Sequence, residues 1–121
     1  MGTIVQLTAA DGTQFPAYVA TPATPAKAAV VVIQEIFGVN VHIREVADGY
    51  AKEGYLAVAP AMFHRAQANV ELGYAETDMG AGMALKMAIE SLPSPGAMQD
   101  IQASIDHVHA ACGGKVGVVG Y

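Results

Sequence analysis

The sequence predicts an α/β fold in which an antiparallel hairpin leads into a parallel, doubly wound sheet. Three observations predict it. Two period-two alternating stretches meet at Asp11-Gly12 near the N-terminus. Three later stretches, around residues 28–34, 55–60 and 115–120, are continuously apolar, as strands covered on both faces are. Amphipathic helical patterns separate them. The 121 residues hold one domain at most. A hydrophobic share of 53% against 14% charged supplies a core and implies that some faces are covered by further protein.

Each element follows from local chemistry. "TIVQLT" and "QFPAYVA" alternate around "ADGT", a turn signal between β-type runs. Pro16 lacks a ladder donor, which places its strand near a sheet edge. After the Pro-rich loop "TPATPAK", the β-branched run Ala28–Gln34 reads as a buried strand. Asn40 can cap a helix whose apolar face is Ile43, Val46, Ala47, Tyr50 and Ala51, and Gly54 closes it. "YLAVAP", Tyr55–Pro60, is the next strand, reached by a right-handed crossover. Residues 61–92 are helical in part, weakened by Gly80 and Gly82. "PSPG" at 93–96 is a break. A helix then carries the apolar stripe Met98, Ile101, Ile105, Val108 and Cys112, with Asp100 off it. "ACGG" ends that helix, and "KVGVVG" is a strand of central type whose faces call for more chain.

Composition excludes several function classes. A net charge of −5 with no Lys/Arg stripe leaves nothing to neutralise phosphates, so no nucleic-acid partner is expected. The longest apolar run, Ala28–Ile33, is too short to span a membrane, and "MGTIVQLTAADG" does not read as a secretory signal. Cys112 is the sole cysteine, so no internal disulfide forms. A soluble cytoplasmic protein is expected, with neither metal nor cofactor. His107 and His109 lie two apart on a helix and face different ways, which does not suit a metal pair. His42 reads as solvated surface, Cys112 as a buried structural thiol, and the methionines at 79, 83, 87 and 98 as core filler.

Two places can hold chemistry. Glu35 leaves the carboxyl end of a buried strand, where ligands gather in open α/β sheets. It reads either as the first solvated loop residue or, among Ile36, Phe37 and Val39, as a carboxylate suited to proton transfer. The backbone N–H of Ile36 or Phe37 could serve an oxyanion. The second place is "KVGVVGY": a strand ending in a glycine two positions before a reactive residue is a nucleophile elbow, with Gly120 as that glycine if the nucleophile is residue 122. The lesser reading makes Gly117 and Gly120 the start of a dinucleotide loop, but the G-x-x-G spacing lacks the third glycine. His64 and Arg65 follow a strand end, where a substrate-binding or loop-fixing role is open.

The block "VVVIQEIFGVNVHIREVADGYAKEGYLAVAPAMFHR", with "GGKVGVVGY", resembles the dienelactone hydrolase family of α/β-hydrolases. The likeness covers residues 3–65 and 97–121, and its specific part is Gln34-Glu35-Ile36-Phe37-Gly38 followed by Asn40 and Arg44. It implies that residues 1–121 are the N-terminal part of one α/β-hydrolase domain, ending just before the nucleophile. The implied enzyme is a carboxymethylenebutenolidase-like hydrolase of lactones or related carboxylic esters. Its Cys-His-Asp triad would lie beyond Tyr121, flanked by Gly120 and Tyr121. Glu35 would hold the resting thiol and accept its proton, and the Ile36 N–H would serve the oxyanion. Phe37, His64 and Arg65 are the candidates for substrate contact. The expected partners are a small lactone or ester and the C-terminal half of the same domain. Family members place an arginine that holds a substrate carboxylate in the region of residues 75–88, where this sequence offers only Lys86. Dienelactone itself is therefore not implied as substrate. A serine esterase or acyltransferase of the same fold, and a non-catalytic α/β binding module, are the competing readings. The chain reads as a fragment, inactive on its own.

Overall fold

A computed structural model describes residues 2–92 and 96–121, so Pro93, Ser94 and Pro95 of the expected break lie outside the described residues. The elements run β1 (Gly2–Thr8), β2 (Gln14–Ala20), β3 (Ala28–Ile33), α1 (Val41–Lys52), β4 (Tyr55–Pro60), α2 (Glu76–Glu90), α3 (Gly96–Cys112) and β5 (Val116–Gly120). One five-stranded sheet has the order β1-β2-β4-β3-β5. β1 and β2 pair antiparallel, β2 joins β4 antiparallel, and β3 lies parallel to both β4 and β5. The hairpin feeding a parallel sheet is the predicted architecture.

Alternation within the strands builds a core on each face. Phe15, Ala17, Val19, Val31 and Val58 meet Val108 of α3 on one side. Tyr18, Ala20, Val32, Ala57 and Ala59 meet Ile43, Ala47 and Ala51 of α1 on the other. The small residues on that second side allow a close helix–sheet approach. α1 begins where the Ile43 N–H donates to Asn40 Oδ1 at 3.1 Å, a cap worth about 1 kcal/mol. It ends at Gly54, whose φ of +95° only glycine adopts without strain. Tyr18 Oη donates to Asp48 Oδ1 at 2.7 Å, tying β2 to α1; burial, then that carboxylate, push the phenol's pKa up.

Pro16 lies near the sheet edge as expected: β2 is second in the sheet, between the edge strand β1 and β4. The Pro16 carbonyl accepts from the Ala61 N–H at 3.0 Å, beyond the last β2–β4 pair, Ala17↔Pro60. Its missing donor points the same way, past the end of the ladder, and costs no strand bond. The fully buried line of α3 is Gly96, Asp100, Ser104 and Val108; of the predicted stripe Val108 lies on it and Ile105 and Cys112 pack beside it on the core, while Met98 does not. Met98 is 63% exposed, and Asp100, predicted to lie off the buried face, is wholly enclosed because it meets an arginine from the β4–α2 loop. Met79, Met83 and Met87 are also exposed rather than core, because α2 rests on the loop after β3 through Gly82 instead of on the sheet. β5 forms the far edge, and Val118 is half exposed.

Candidate active site

The carboxyl ends of β3, β4 and β5 open into one cleft of about 580 Å³. β3 delivers Gln34, Glu35, Ile36 and Phe37; β4 delivers Met62 and Phe63; β5 delivers Tyr121; α2 adds Met79 and Lys86. The strand register sets this grouping. Ile33 pairs with Gly120, and the Tyr121 N–H donates to the Ile33 carbonyl at 3.2 Å. Glu35 therefore stands one strand spacing, roughly 4.8 Å, from the line that β5 follows.

Buried Gln34 locks the β3 and β4 tips together. Its Oε1 accepts from the Met62 N–H at 2.9 Å, and its Nε2 donates to the Glu35 carbonyl at 2.9 Å. The Glu35 side chain is half-buried, and its Oε1 accepts from Tyr74 Oη at 3.0 Å. Asn40 Nδ2 reaches Tyr74 Oη at 3.3 Å, so one asparagine caps α1 and orients the phenol that holds Glu35. The Tyr74 ring packs edge-on against Phe37, centroids 4.5 Å apart. The Leu72 N–H donates to the Phe37 carbonyl at 2.8 Å, and Gly38 bridges Glu71. A Cβ on Gly38 would fall 2.1 Å from the Val70 carbonyl oxygen, and its φ is +81°, so this crossing of two loops requires glycine.

α2 seats on the same loop. A Cβ on Gly82 would lie 2.1 Å from the Ile36 carbonyl oxygen. The residue that weakens the helix is thus the one that lets it touch the loop backbone. Among the described residues, the Ile36 N–H takes no backbone partner. Lys86 pairs with Glu90 one turn along α2.

Glu35, Ile36, Phe37 and Tyr121 come together as the sequence suggested, with Gly120 at the adjoining strand end. His64 and Arg65 do not line the cleft. The Arg65 guanidinium is engaged by Asp100 at 2.8 and 3.0 Å and by Asp11 at 2.7 and 3.2 Å. These bonds lift the Arg65 pKa and hold Asp11 well below the usual carboxylate range. Arg65 fixes the loop and is not free for a substrate. His64 donates its backbone N–H to Ala61 and keeps Nδ1 shielded, without a partner among the described residues. Tyr121 Oη lies 3.3 Å from Tyr50 Oη, and that contact, then burial, raises its pKa. Cys112 accepts from the Gly114 N–H at 3.3 Å and packs on the core, the structural place expected for it. No described helix is long and apolar enough to cross a membrane.

Sequence reasoning did not single out Met62 and Phe63 at the end of β4, Met79, which α2 brings to the cleft, or Tyr74, which reaches Glu35 through its hydroxyl. The two glycines inside a helix pattern were the available signal for the α2 contact, and only Gly82 makes it.

Comparison with known proteins gives this geometry a family. The model of the dienelactone hydrolase family matches residues 15–121. A Synechocystis protein named "Putative carboxymethylenebutenolidase" is 38% identical over 112 residues, covering 89% of this chain and 44% of its own length. "Carboxymethylenebutenolidase 1" of Cupriavidus pinatubonensis is 31% identical over 119 residues, covering 97% of this chain and 50% of its own. The solved "Putative Dienelactone Hydrolase" of Klebsiella pneumoniae superposes with a TM-score of 0.77 at 27% identity, over 100% of this chain and 49% of that one. The chain thus spans about half the length of the relatives it matches. With an α/β-hydrolase sheet, a strand-end glutamate and a match over nearly its whole length, the chain belongs to the dienelactone hydrolase family.

Proposed function

We propose that the full-length protein hydrolyses lactones or related carboxylic esters through a nucleophilic thiol. In this reading the thiol sits at the position after Tyr121, and His and Asp partners come from the remainder of the domain. The observation that carries it is the β3–β5 register: Ile33 pairs with Gly120, which brings Glu35 level with the residue that would follow Tyr121. A thiol is a weak nucleophile until deprotonated. Glu35 takes that proton, and the thiolate then forms a C–S bond with the substrate carbonyl. The oxyanion that develops receives the Ile36 N–H. When the tetrahedral intermediate collapses, the C–O bond breaks and the alcohol leaves with a proton from the histidine. Water then adds to the thioester carbonyl as the histidine, left neutral by giving up its imidazolium proton, takes a proton from it; the C–S bond breaks, the acid is released, and the departing thiolate recovers its proton from Glu35. The apolar walls from Phe37, Met62 and Phe63 support a substrate with a hydrophobic body.

The test is Glu35→Gln in the full-length protein, assayed on p-nitrophenyl acetate and a simple lactone. The substitution keeps size and removes the proton acceptor, so kcat should fall at least 100-fold, within the range for a lost general base. The far-UV spectrum should be unchanged. Wild-type turnover by the variant would return Glu35 to an ordinary loop residue.

A further inference from the structure

Resting on the hydrolase reading, we infer that Arg44 is a positioning residue for Glu35, acting from outside the cleft through Glu71 and Tyr74. Arg44 does not line the cleft. It stands at the head of α1, where the first turn holds no acidic residue and a cation opposes the helix dipole. Side chains lean toward a helix's N-terminus, and this one reaches two loops there. Its Nη1 donates to the Val39 carbonyl at 2.8 Å, and its Nη2 donates to Glu71 Oε1 at 2.7 Å. One rigid guanidinium thus ties the segment after β3 to the segment that carries Tyr74.

That second segment depends on such ties. Asn69, Val70 and Glu71 wall a cavity of about 190 Å³, opposite Ala17, Tyr18 and Ala59 of the sheet. None of the three joins either core, and Asn69 holds a φ of +59°. The segment is held by polar contacts instead of packing on the strands. These are the Leu72 N–H on the Phe37 carbonyl, Asn40 Nδ2 on the Leu72 carbonyl at 3.3 Å, and the Arg44–Glu71 pair. Three residues past Glu71, Tyr74 Oη holds the Glu35 carboxylate. The ion pair is partly open to solvent and shares its work with the other bonds, which caps its effect at about fivefold.

The test is a double-mutant cycle in the full-length protein, read as kcat/KM on p-nitrophenyl acetate: Arg44→Met, Tyr74→Phe and the two combined. Arg44→Met should lower kcat/KM by about two- to fivefold. Arg44→Lys, which keeps a cation facing Glu71, should recover part of that loss. In the Tyr74→Phe background Arg44→Met should cost nothing further, because the hydroxyl through which Arg44 acts is gone. A general loosening of the fold would multiply instead. Equal losses in both backgrounds therefore overturn the inference and leave the hydrolase reading intact, and so does wild-type kcat/KM in Arg44→Met. Should Arg44→Met fail to fold, Glu71→Gln removes the charge from the same pair without altering α1, and the cycle with Tyr74→Phe decides in the same way. No hydrolysis by the wild type removes the hydrolase reading and this inference with it.

Discussion

At the scale of single residues, the site depends on how Glu35 is held. Two groups reach it: Gln34 Nε2 grips its backbone carbonyl, and Tyr74 Oη its carboxylate. The phenol is itself placed by Asn40 Nδ2 and by the Phe37 ring. Tyr74→Phe deletes the hydroxyl and keeps the ring contact. The bond lies near solvent, so its net worth is about 1 kcal/mol, which corresponds to about fivefold in kcat/KM. Steady-state kinetics on p-nitrophenyl acetate should reveal that loss, with melting temperature little altered. Unaltered kinetics would make Tyr74 a bystander. Glu35 was legible in the sequence because a charged residue ending an apolar strand stands out. Tyr74 was not, because its importance comes from a loop folding back across Gly38, a contact with no local periodicity.

At the scale of elements, the strands and α1 were legible, since period-two and period-3.6 patterns report burial directly. β4 and β2 fall on the residues predicted, and Asn40 and Gly54 bound α1 as expected. α3 was read in part: Val108, Ile105 and Cys112 meet the core, but Asp100 was set outside because hydrophobicity alone cannot anticipate an ion pair. α2 misled for a similar reason: its methionines look like core, yet its one buried residue is Gly82. Gly82→Ala tests that contact. Alanine gains about 1 kcal/mol of helix propensity, while overpacking against the Ile36 carbonyl costs about 1–3 kcal/mol. Global stability should therefore fall by about 0–2 kcal/mol. The helix or the Ile36 peptide must shift, so kcat should fall about tenfold with KM less affected. A variant with wild-type kcat would separate α2 from the oxyanion role proposed for the Ile36 peptide.

At the scale of the whole molecule, Arg65 braces the carboxyl edge of the sheet. It joins the β1–β2 turn through Asp11, the loop after β4 that bears Met62 and Phe63, and the first turns of α3 through Asp100. Asp100 is fully enclosed, and removing the partner of such a buried charge costs about 3 kcal/mol. Asp11 gives the brace a pH signature. Its carboxyl is held below the usual range, first by the Arg65 hydrogen bonds and then by the Thr13 N–H. Stability from a depressed carboxylate is complete above its unfolded pKa, about 3.9, and fades as pH falls through the folded value. Asp11→Asn should melt below the wild type at pH 7, and the gap should shrink as pH drops below about 4. Thermal melts at pH 7 and near pH 2 would check it, and a constant gap would discard the brace as an acid-sensitive element. Meanwhile the ladder between β3 and β5 acts as a ruler. Neighbouring side chains on a strand face opposite ways, so sliding β5 by one position would turn Tyr121 inside out. Val119, which packs toward α1, would give way to Gly120 on a slip in one direction and to the half-exposed Val118 on a slip in the other. The first slip leaves a hole beneath α1, so a valine buried behind the strand end helps hold the spacing between two tips far apart along the chain.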